Sequence, residues 1–280
     1  MTEHLPPHPL RIAAAQACPA PGDIEANVRT AAGMVREAAE AGARITVFPE
    51  KFLTGYEPEL IRADPERRAV QPGDPRLAPL FAACREHRVA AVVGTARHEA
   101  GELYVSALVI GPDGRLVARY DKQHLFATER LVYRPGGAGC TVELDGWRLG
   151  LGVCYDSGFP EHARAAALDG CHAYVVGALF SVGNGHHESR MWFPARAFDN
   201  TMYTVLANHV GSTGGWNTCG GSAVWGPDGL IVAEAGPDKP ELALADLDPE
   251  RLRAARERHT MLRDLRDSWS APRARYSLND

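Results

Sequence analysis

Residues 10–50 read LRIAAAQACPAPGDIEANVRTAAGMVREAAEAGARITVFPE, and the order of patterns within them sets the fold class. Leu10 to Ala17 is an apolar run halted by Pro19 and Pro21, as expected of a buried strand that ends in a turn. Asp23 is placed to cap a helix in which Ile24, Val28, Ala31, Val35, Ala38 and Ala39 recur at helical spacing. Gly42 closes that helix, and Ile45 to Phe48 is the next strand, running out into Pro49-Glu50. Strand, helix, strand is the opening of an α/β domain.

The same grammar continues outward. Arg76 to Arg88 reads as a second amphipathic helix and Val89 to Gly94 as a strand. Leu103–Ile110 and Arg115–Tyr120 flank Gly111-Pro112-Asp113-Gly114, a strong hairpin signal. That signal recurs at Gly226-Pro227-Asp228-Gly229, between Ser222–Trp225 and Leu230–Ala233, which suggests an internal symmetry. Between the hairpins come strand Leu149–Val153, helix Glu161–Asp169, strand Ala173–Val176, helix Met191–Asn200 and strand Tyr203–Ala207. No linker or low-complexity block divides the chain, so one domain with two stacked sheets and helices outside is expected. Its bounds are set at residues 10–248. Residues 1–9 form a loose leader, and the charged tail 249–280, with Trp269, is expected on the surface or at a partner subunit.

Composition narrows the function. An apolar content of 45% over 280 residues is enough for one large core. No run of about 18 apolar residues occurs, and the leader lacks the order of a signal peptide, so a cytoplasmic protein is expected. Net charge is −5, and the arginines alternate with acids, which argues against nucleic acid as a partner. The six cysteines (Cys18, Cys84, Cys140, Cys154, Cys171 and Cys219) form no CxxC pair and read as reduced thiols.

Three residues stand just past strand ends, where α/β proteins place reactive groups: Glu50, Lys122 and Cys154. A carboxylate, an ammonium and a thiol suffice for acyl transfer, with the sulfur attacking, the acid moving the proton and the cation holding the oxyanion. Taken in order, these motifs resemble the nitrilase superfamily of carbon–nitrogen hydrolases on its amidase and carbamoylase side. The similarity extends to Gln16, Gly22-Asp23, Thr54-Gly55-Tyr56, Arg196 to Asn200, Ala207-Asn208 and Gly221-Ser222, spanning about residues 10–235.

The resemblance implies a four-layer αββα sandwich of two mixed sheets flanked by helices, paired into a homodimer or larger homo-oligomer, with neither metal nor cofactor. It implies catalytic roles for Glu50, Lys122 and Cys154, with Glu129 holding the lysine and bordering the substrate. It also assigns the backbone N–H of Tyr155 to the oxyanion site. On the family layout Tyr56, Phe126, Tyr155, Phe180 and Trp192 line the substrate pocket. The expected reaction cleaves a small linear amide or N-carbamoyl compound through a Cys154 thioester and releases ammonia.

Local departures refine the substrate. Cys154-Tyr155-Asp156 is the amidase-like form of the nucleophile motif, where nitrile-cleaving members carry Cys-Trp-Glu. Ser157-Gly158 replaces the aliphatic residue and arginine that many amidase-like members place before Phe159-Pro160-Glu161, which removes an anchor for a substrate carboxylate. Gly158 is expected to leave room for a bulkier acyl group.

Other readings compete. A nitrilase, or a catalytically silent ligand-binding homologue, uses the same fold, and a papain-like protease lacks a histidine in matching context. His186-His187-Glu188, read as part of a Gly-rich loop lining the pocket, lacks the helical spacing of a zinc motif. His124 and His172 read as packed or hydrogen-bonded histidines.

Overall fold

A computed structural model of the chain describes residues 5–265. The first half builds strand β1 (Leu10–Gln16), helix α1 (Ile24–Glu40), β2 (Ile45–Val47), the short helices α2 (Pro58–Ala63) and α3 (Pro65–Arg68), and helix α4 (Ala78–His87). Strands β3 (Ala90–Glu99), β4 (Glu102–Ile110) and β5 (Leu116–Asp121) follow. The second half runs β6 (Thr141–Leu144), β7 (Trp147–Val153), α5 (Pro160–Leu168), β8 (Ala173–Ala178), α6 (Asn184–Asn200) and β9 (Tyr203–Asn208). It ends with β10 (Val210–Thr213), β11 (Trp216–Cys219), β12 (Ala223–Trp225), β13 (Ile231–Glu234), β14 (Glu241–Leu247) and α7 (Pro249–Arg258).

Two six-stranded mixed sheets result, in the orders β14-β1-β2-β3-β4-β5 and β13-β12-β9-β8-β7-β6. In the first, β1, β2 and β3 are parallel and β4 and β5 return antiparallel. In the second, β7, β8 and β9 are parallel and β12 and β13 return antiparallel. The matched Gly-Pro-Asp-Gly hairpins therefore occupy equivalent places in two sheets of the same design.

Side-chain alternation along the strands stacks the layers. Ile12, Ala14, Val92, Val175 and Val205 point into a core shared by both sheets. Ala15, Ala91 and Val93 face outward onto Ile24, Val28 and Val35 of α1 and Leu80 of α4. Tyr174, Val176 and Leu206 face outward onto Ala163 of α5 and Phe193 and Ala197 of α6. The architecture is thus the four-layer α/β sandwich expected. Asp23 caps α1 by accepting from the Ala26 N–H at 2.9 Å, as the sequence indicates.

Two local expectations change. The described part of the leader does not run free: Pro6 is buried, and the Trp147 indole N–H donates to the His8 carbonyl at 2.9 Å. Helix α6 begins at Asn184, not Met191, so His186, His187 and Glu188 lie on its first turns and not on a loop. Burial of Phe193 and Ala197 on that helix outweighs the weak helix propensity of its Gly-rich start. In the tail, α7 buries Leu252 and Ala255, whereas Trp269 lies outside the described residues.

Candidate active site

Glu50 sits where β2 leaves the sheet, wedged between two strands that carry glycine at the contact. A Cβ on Gly94 of β3 would lie 2.1 Å from the Pro49 carbonyl oxygen, and one on Gly177 of β8 would lie 2.4 Å from that of Phe48. Only glycine lets the turn pass between the sheets this closely. Its carboxylate is fully buried.

Lys122 follows β5 directly. Its backbone N–H is fixed by the Val105 carbonyl at 2.8 Å, and its Nζ donates to Glu50 Oε1 and Glu129 Oε2, each at 2.7 Å. Glu129 lies on a 3-10 turn, Ala127–Leu131, and is fully occupied. Oε2 also accepts from the Phe126 N–H at 2.9 Å, while Oε1 accepts from Lys51 Nζ at 2.9 Å and Tyr56 OH at 2.8 Å. The other Glu50 oxygen, Oε2, is buried and has no hydrogen-bond partner among the described residues.

Cys154 directly follows β7 and opens a 3-10 turn in the left-handed backbone region (φ 45°), a costly conformation for a non-glycine residue. Asp156 holds it there. Its Oδ2 accepts from the Val153 N–H at 3.0 Å and Tyr120 OH at 2.7 Å, and its Oδ1 accepts from the His124 N–H at 2.9 Å and meets His124 Nδ1 at 2.9 Å. Arg196 Nε donates to the Ser157 carbonyl from α6 at 3.1 Å. The Cys154 thiol reaches the Leu179 carbonyl at 3.6 Å and opens onto a cavity of about 470 Å³.

Electrostatics favour a neutral thiol. Burial raises the Glu50 carboxyl above its ordinary range, with Lys122 acting against that rise. Burial also opposes ionisation of Glu129, but Lys51 and Lys122 outweigh it and hold that carboxyl well below the usual range. Burial would lower Lys122, yet Glu50 and Glu129 keep its ammonium raised. The Cys154 thiol is pushed up by burial and by Glu50, with Lys122 pulling the other way. The carboxylates of Glu50 and Glu129 are matched one for one by the ammonium groups of Lys51 and Lys122. Passing the Cys154 proton to Glu50 therefore leaves this cluster with one positive charge, which balances the thiolate formed above it.

All the pocket residues named from sequence come together: Tyr56, Phe126, Tyr155, Phe180 and Trp192 line the cavity with Cys154. Trp216 completes the aromatic wall, and Leu179, Ser181, Asn184, Gly185 and Glu188 extend it. The space at Gly158 does not serve a larger acyl group, because the Trp192 indole occupies it. A Cβ there would meet Trp192 Cη2 at 3.1 Å. His124 stacks on Phe159 at 3.8 Å between centroids, and His172 Nδ1 accepts from the Arg148 N–H at 3.0 Å. The outlying motif residues are ties. Gln16 bonds the Gly236 and Lys239 carbonyls and the Ser222 N–H, and Asn208 bonds Phe180 and Gly220. Among the described residues no His, Cys, Asp and Glu cluster could hold a metal ion.

Sequence reasoning overlooked Lys51. It is fully buried, with Nζ 3.3 Å from the centroid of Tyr56 and 4.8 Å from that of Tyr133. A lysine directly after Glu50, between the apolar pairs Phe48-Pro49 and Phe52-Leu53, was the available signal. The clamp made by Asp156 was also missed, since its partners lie on distant segments.

The sequence model of the family described as Carbon-nitrogen hydrolase matches residues 11–257. A nitrilase of Pyrococcus abyssi is 31% identical over 95% of this chain and 98% of its own length. An (R)-stereoselective amidase of a Pseudomonas species is 34% identical over 79% of each chain, and the human omega-amidase NIT2 is 31% identical over 88% of this chain and 91% of its own. Among solved structures, a mutant amidase from Nesterenkonia sp. AN1, carrying the acetamide moiety of fluoroacetamide on its active-site cysteine, superposes with a TM-score of 0.81. It is 30% identical, over 94% of this chain and 96% of that one. Another mutant of that amidase, in complex with butyramide, gives 0.79 at 30% identity over 91% and 97%. With sheets, buried acid–lysine floor and cysteine turn all in place, the chain belongs to the carbon–nitrogen hydrolases of the nitrilase superfamily, on their amidase side.

Proposed function

We propose that the chain hydrolyses the C–N bond of small linear amides or N-carbamoyl compounds through a thioester on Cys154, releasing ammonia from the amide. The observation that carries this reading is Glu50 itself: one oxygen is locked to Lys122 while the other is buried, without a partner among the described residues, and open to take a proton.

The resting thiol is neutral, so attack and deprotonation are coupled. Sulfur bonds to the carbonyl carbon as its proton passes to Glu50, and the carbonyl electron pair becomes an oxyanion held by the Lys122 ammonium and the Tyr155 N–H. Glu50 then returns the proton to the nitrogen, the C–N bond breaks and ammonia leaves. Water attacks the thioester, again losing its proton to Glu50, and collapse frees the acid and restores the thiol. An N-carbamoyl substrate loses its amine in the first half and leaves a thiocarbamate, whose hydrolysis gives carbamate and then carbon dioxide and ammonia. Glu129 acts as a positioning residue, fixing Lys122 so that its remaining donor faces the oxyanion.

Ammonia release from a panel of short amides, the corresponding nitriles and N-carbamoyl amines tests the reading, together with intact mass after brief incubation. Turnover of amides with an acyl adduct on the wild type, both absent in Cys154→Ala, is expected. Faster turnover of nitriles than of their matching amides points instead to a nitrilase. Silence across the panel without labelling of Cys154 overturns the reading in favour of a ligand-binding homologue.

A further inference from the structure

Among the described residues, the cavity over Cys154 has an aromatic wall and a single charged side chain, Glu188 on the first turns of α6. Glu188 is half-buried, and its Oε1 accepts from the Asn184 amide at 2.7 Å. No ion pair neutralises it among the described residues. The nearby cations are committed elsewhere. Lys51 and Lys122 are bound to Glu129 and Glu50, Arg190 turns to Glu234 and the Gly221 carbonyl, and Arg196 holds the Ser157 and Gly158 carbonyls. Among the described residues no lysine, arginine or histidine lines the cavity.

A carboxylate without a countercharge at the edge of an aromatic cage is chemistry for a cation. The ring faces of Tyr, Phe and Trp attract an ammonium by their quadrupoles, and a half-buried carboxylate adds a charge-assisted hydrogen bond. The same wall repels a substrate carboxylate, which would meet Glu188 and no compensating cation among the described lining residues. A sphere of the cavity's volume is roughly 10 Å across, within the usual range for small-molecule pockets. That leaves room for several methylenes between the reacting carbonyl and a distal charge. Resting on the amide-hydrolase reading, we infer that the preferred substrates are amides bearing a positively charged amine a few bonds from the scissile carbonyl, with the ammonium held between Glu188 and the aromatic wall.

The test is a matched series of equal chain length: 5-aminopentanamide, hexanamide and the monoamide of adipic acid. In the wild type, kcat/KM is expected to be at least tenfold higher for the amine than for the neutral amide, and lowest for the carboxylate. Glu188→Gln should cut the amine-to-neutral ratio about tenfold, and Glu188→Lys should bring the carboxylate above the amine. Raising salt should shrink the wild-type ratio, as expected of a partly exposed charge contact. An amine no better than hexanamide, or a ratio unmoved by Glu188→Gln, overturns the inference while leaving amide hydrolysis intact. Should none of the three be hydrolysed, the reaction reading fails separately. Calorimetric binding of the same compounds to Cys154→Ala protein, with and without Glu188→Gln, then decides the charge preference, and equal affinities sink it.

Discussion

Lys51 and Glu129 form a 2.9 Å ion pair sealed from solvent, and through Glu129 the pair is joined to Lys122 and Glu50. Lys51 is therefore a second cation beneath the cysteine, and its charge makes the floor neutral when Glu50 is ionised. Removing it in Lys51→Met leaves two buried carboxylates facing one ammonium. Glu50 then binds its proton more tightly, because a neighbouring cation that lowers its pKa is gone. The acid limb of kcat/KM should move to higher pH, with activity at neutral pH down about tenfold or more. Lys51→Arg should restore part of the shift. A pH–rate profile with an unmoved acid limb in Lys51→Met would show that the pair is structural only.

Asp156 is the clamp of the nucleophile turn, and substitution there should damage geometry more than folding. Asp156→Asn keeps the volume but sets an NH2 against some of the N–H and O–H donors that now converge on a carboxylate. Loss of a satisfied buried acceptor costs on the order of 1–3 kcal/mol, so Tm should fall by several degrees. Release of Cys154 from its left-handed backbone should cost more, about 10²-fold in kcat with a smaller change in KM. Near-wild-type kcat in a folded Asp156→Asn protein would remove the clamp from the account.

The glycines that flank Glu50 give a steric prediction. Gly94→Ala and Gly177→Ala each drive a methyl into backbone oxygens of the Phe48–Pro49 turn, which cannot yield without moving Glu50. Both should lower stability by several kcal/mol, in the range of severe overpacking, and depress activity further than their Tm loss explains. Gly33→Ala is the control. It lies within α1, a Cβ there meets nothing within 4 Å, and it should stabilise by up to about 1 kcal/mol through helix propensity. Chemical denaturation alongside ammonia release separates the two effects.

Much of this site was legible because its chemistry sits at strand ends. Glu50, Lys122 and Cys154 each follow a readable strand, and the repeated hairpin at Gly111–Gly114 and Gly226–Gly229 announced two sheets of one design. What escaped depended on long-range packing. Lys51 is adjacent to Glu50 in sequence, but its meaning comes from Glu129 and Tyr133, more than seventy residues away. The first turns of α6 looked like a loop because Gly183, Asn184 and Gly185 are weak helix formers, and the burial that overrides them is tertiary. Gly158 looked like added space, and only the fold reveals that Trp192 fills it.

His209 links the site to acid stability. It is fully buried, stacks near Phe52, and its Nε2 meets the Glu50 carbonyl oxygen at 2.6 Å, which requires the Nε2–H tautomer. Burial lowers its pKa from the ordinary 6.5 to about 4, against a hydrogen bond to Glu50 that raises it. Between those values the unfolded chain binds a proton that the folded chain refuses. The contribution of His209 is therefore complete above about pH 6.5 and falls away as pH drops towards 4, by on the order of 3 kcal/mol in total. Glu50 works in the opposite sense: its raised pKa lets the folded state take up a proton first, which adds stability as pH falls through that pKa. A comparison of variants isolates the histidine. His209→Gln retains an N–H donor for the Glu50 carbonyl and has no titrating ring, so its stability should fall less steeply than that of the wild type between pH 6.5 and 4, by nearly one proton in the slope. Urea denaturation at half-unit pH steps measures that difference. Parallel curves for the two proteins would mean that the folded state admits a proton at His209 as readily as the unfolded one, and that the imidazole is not sealed beneath Glu50.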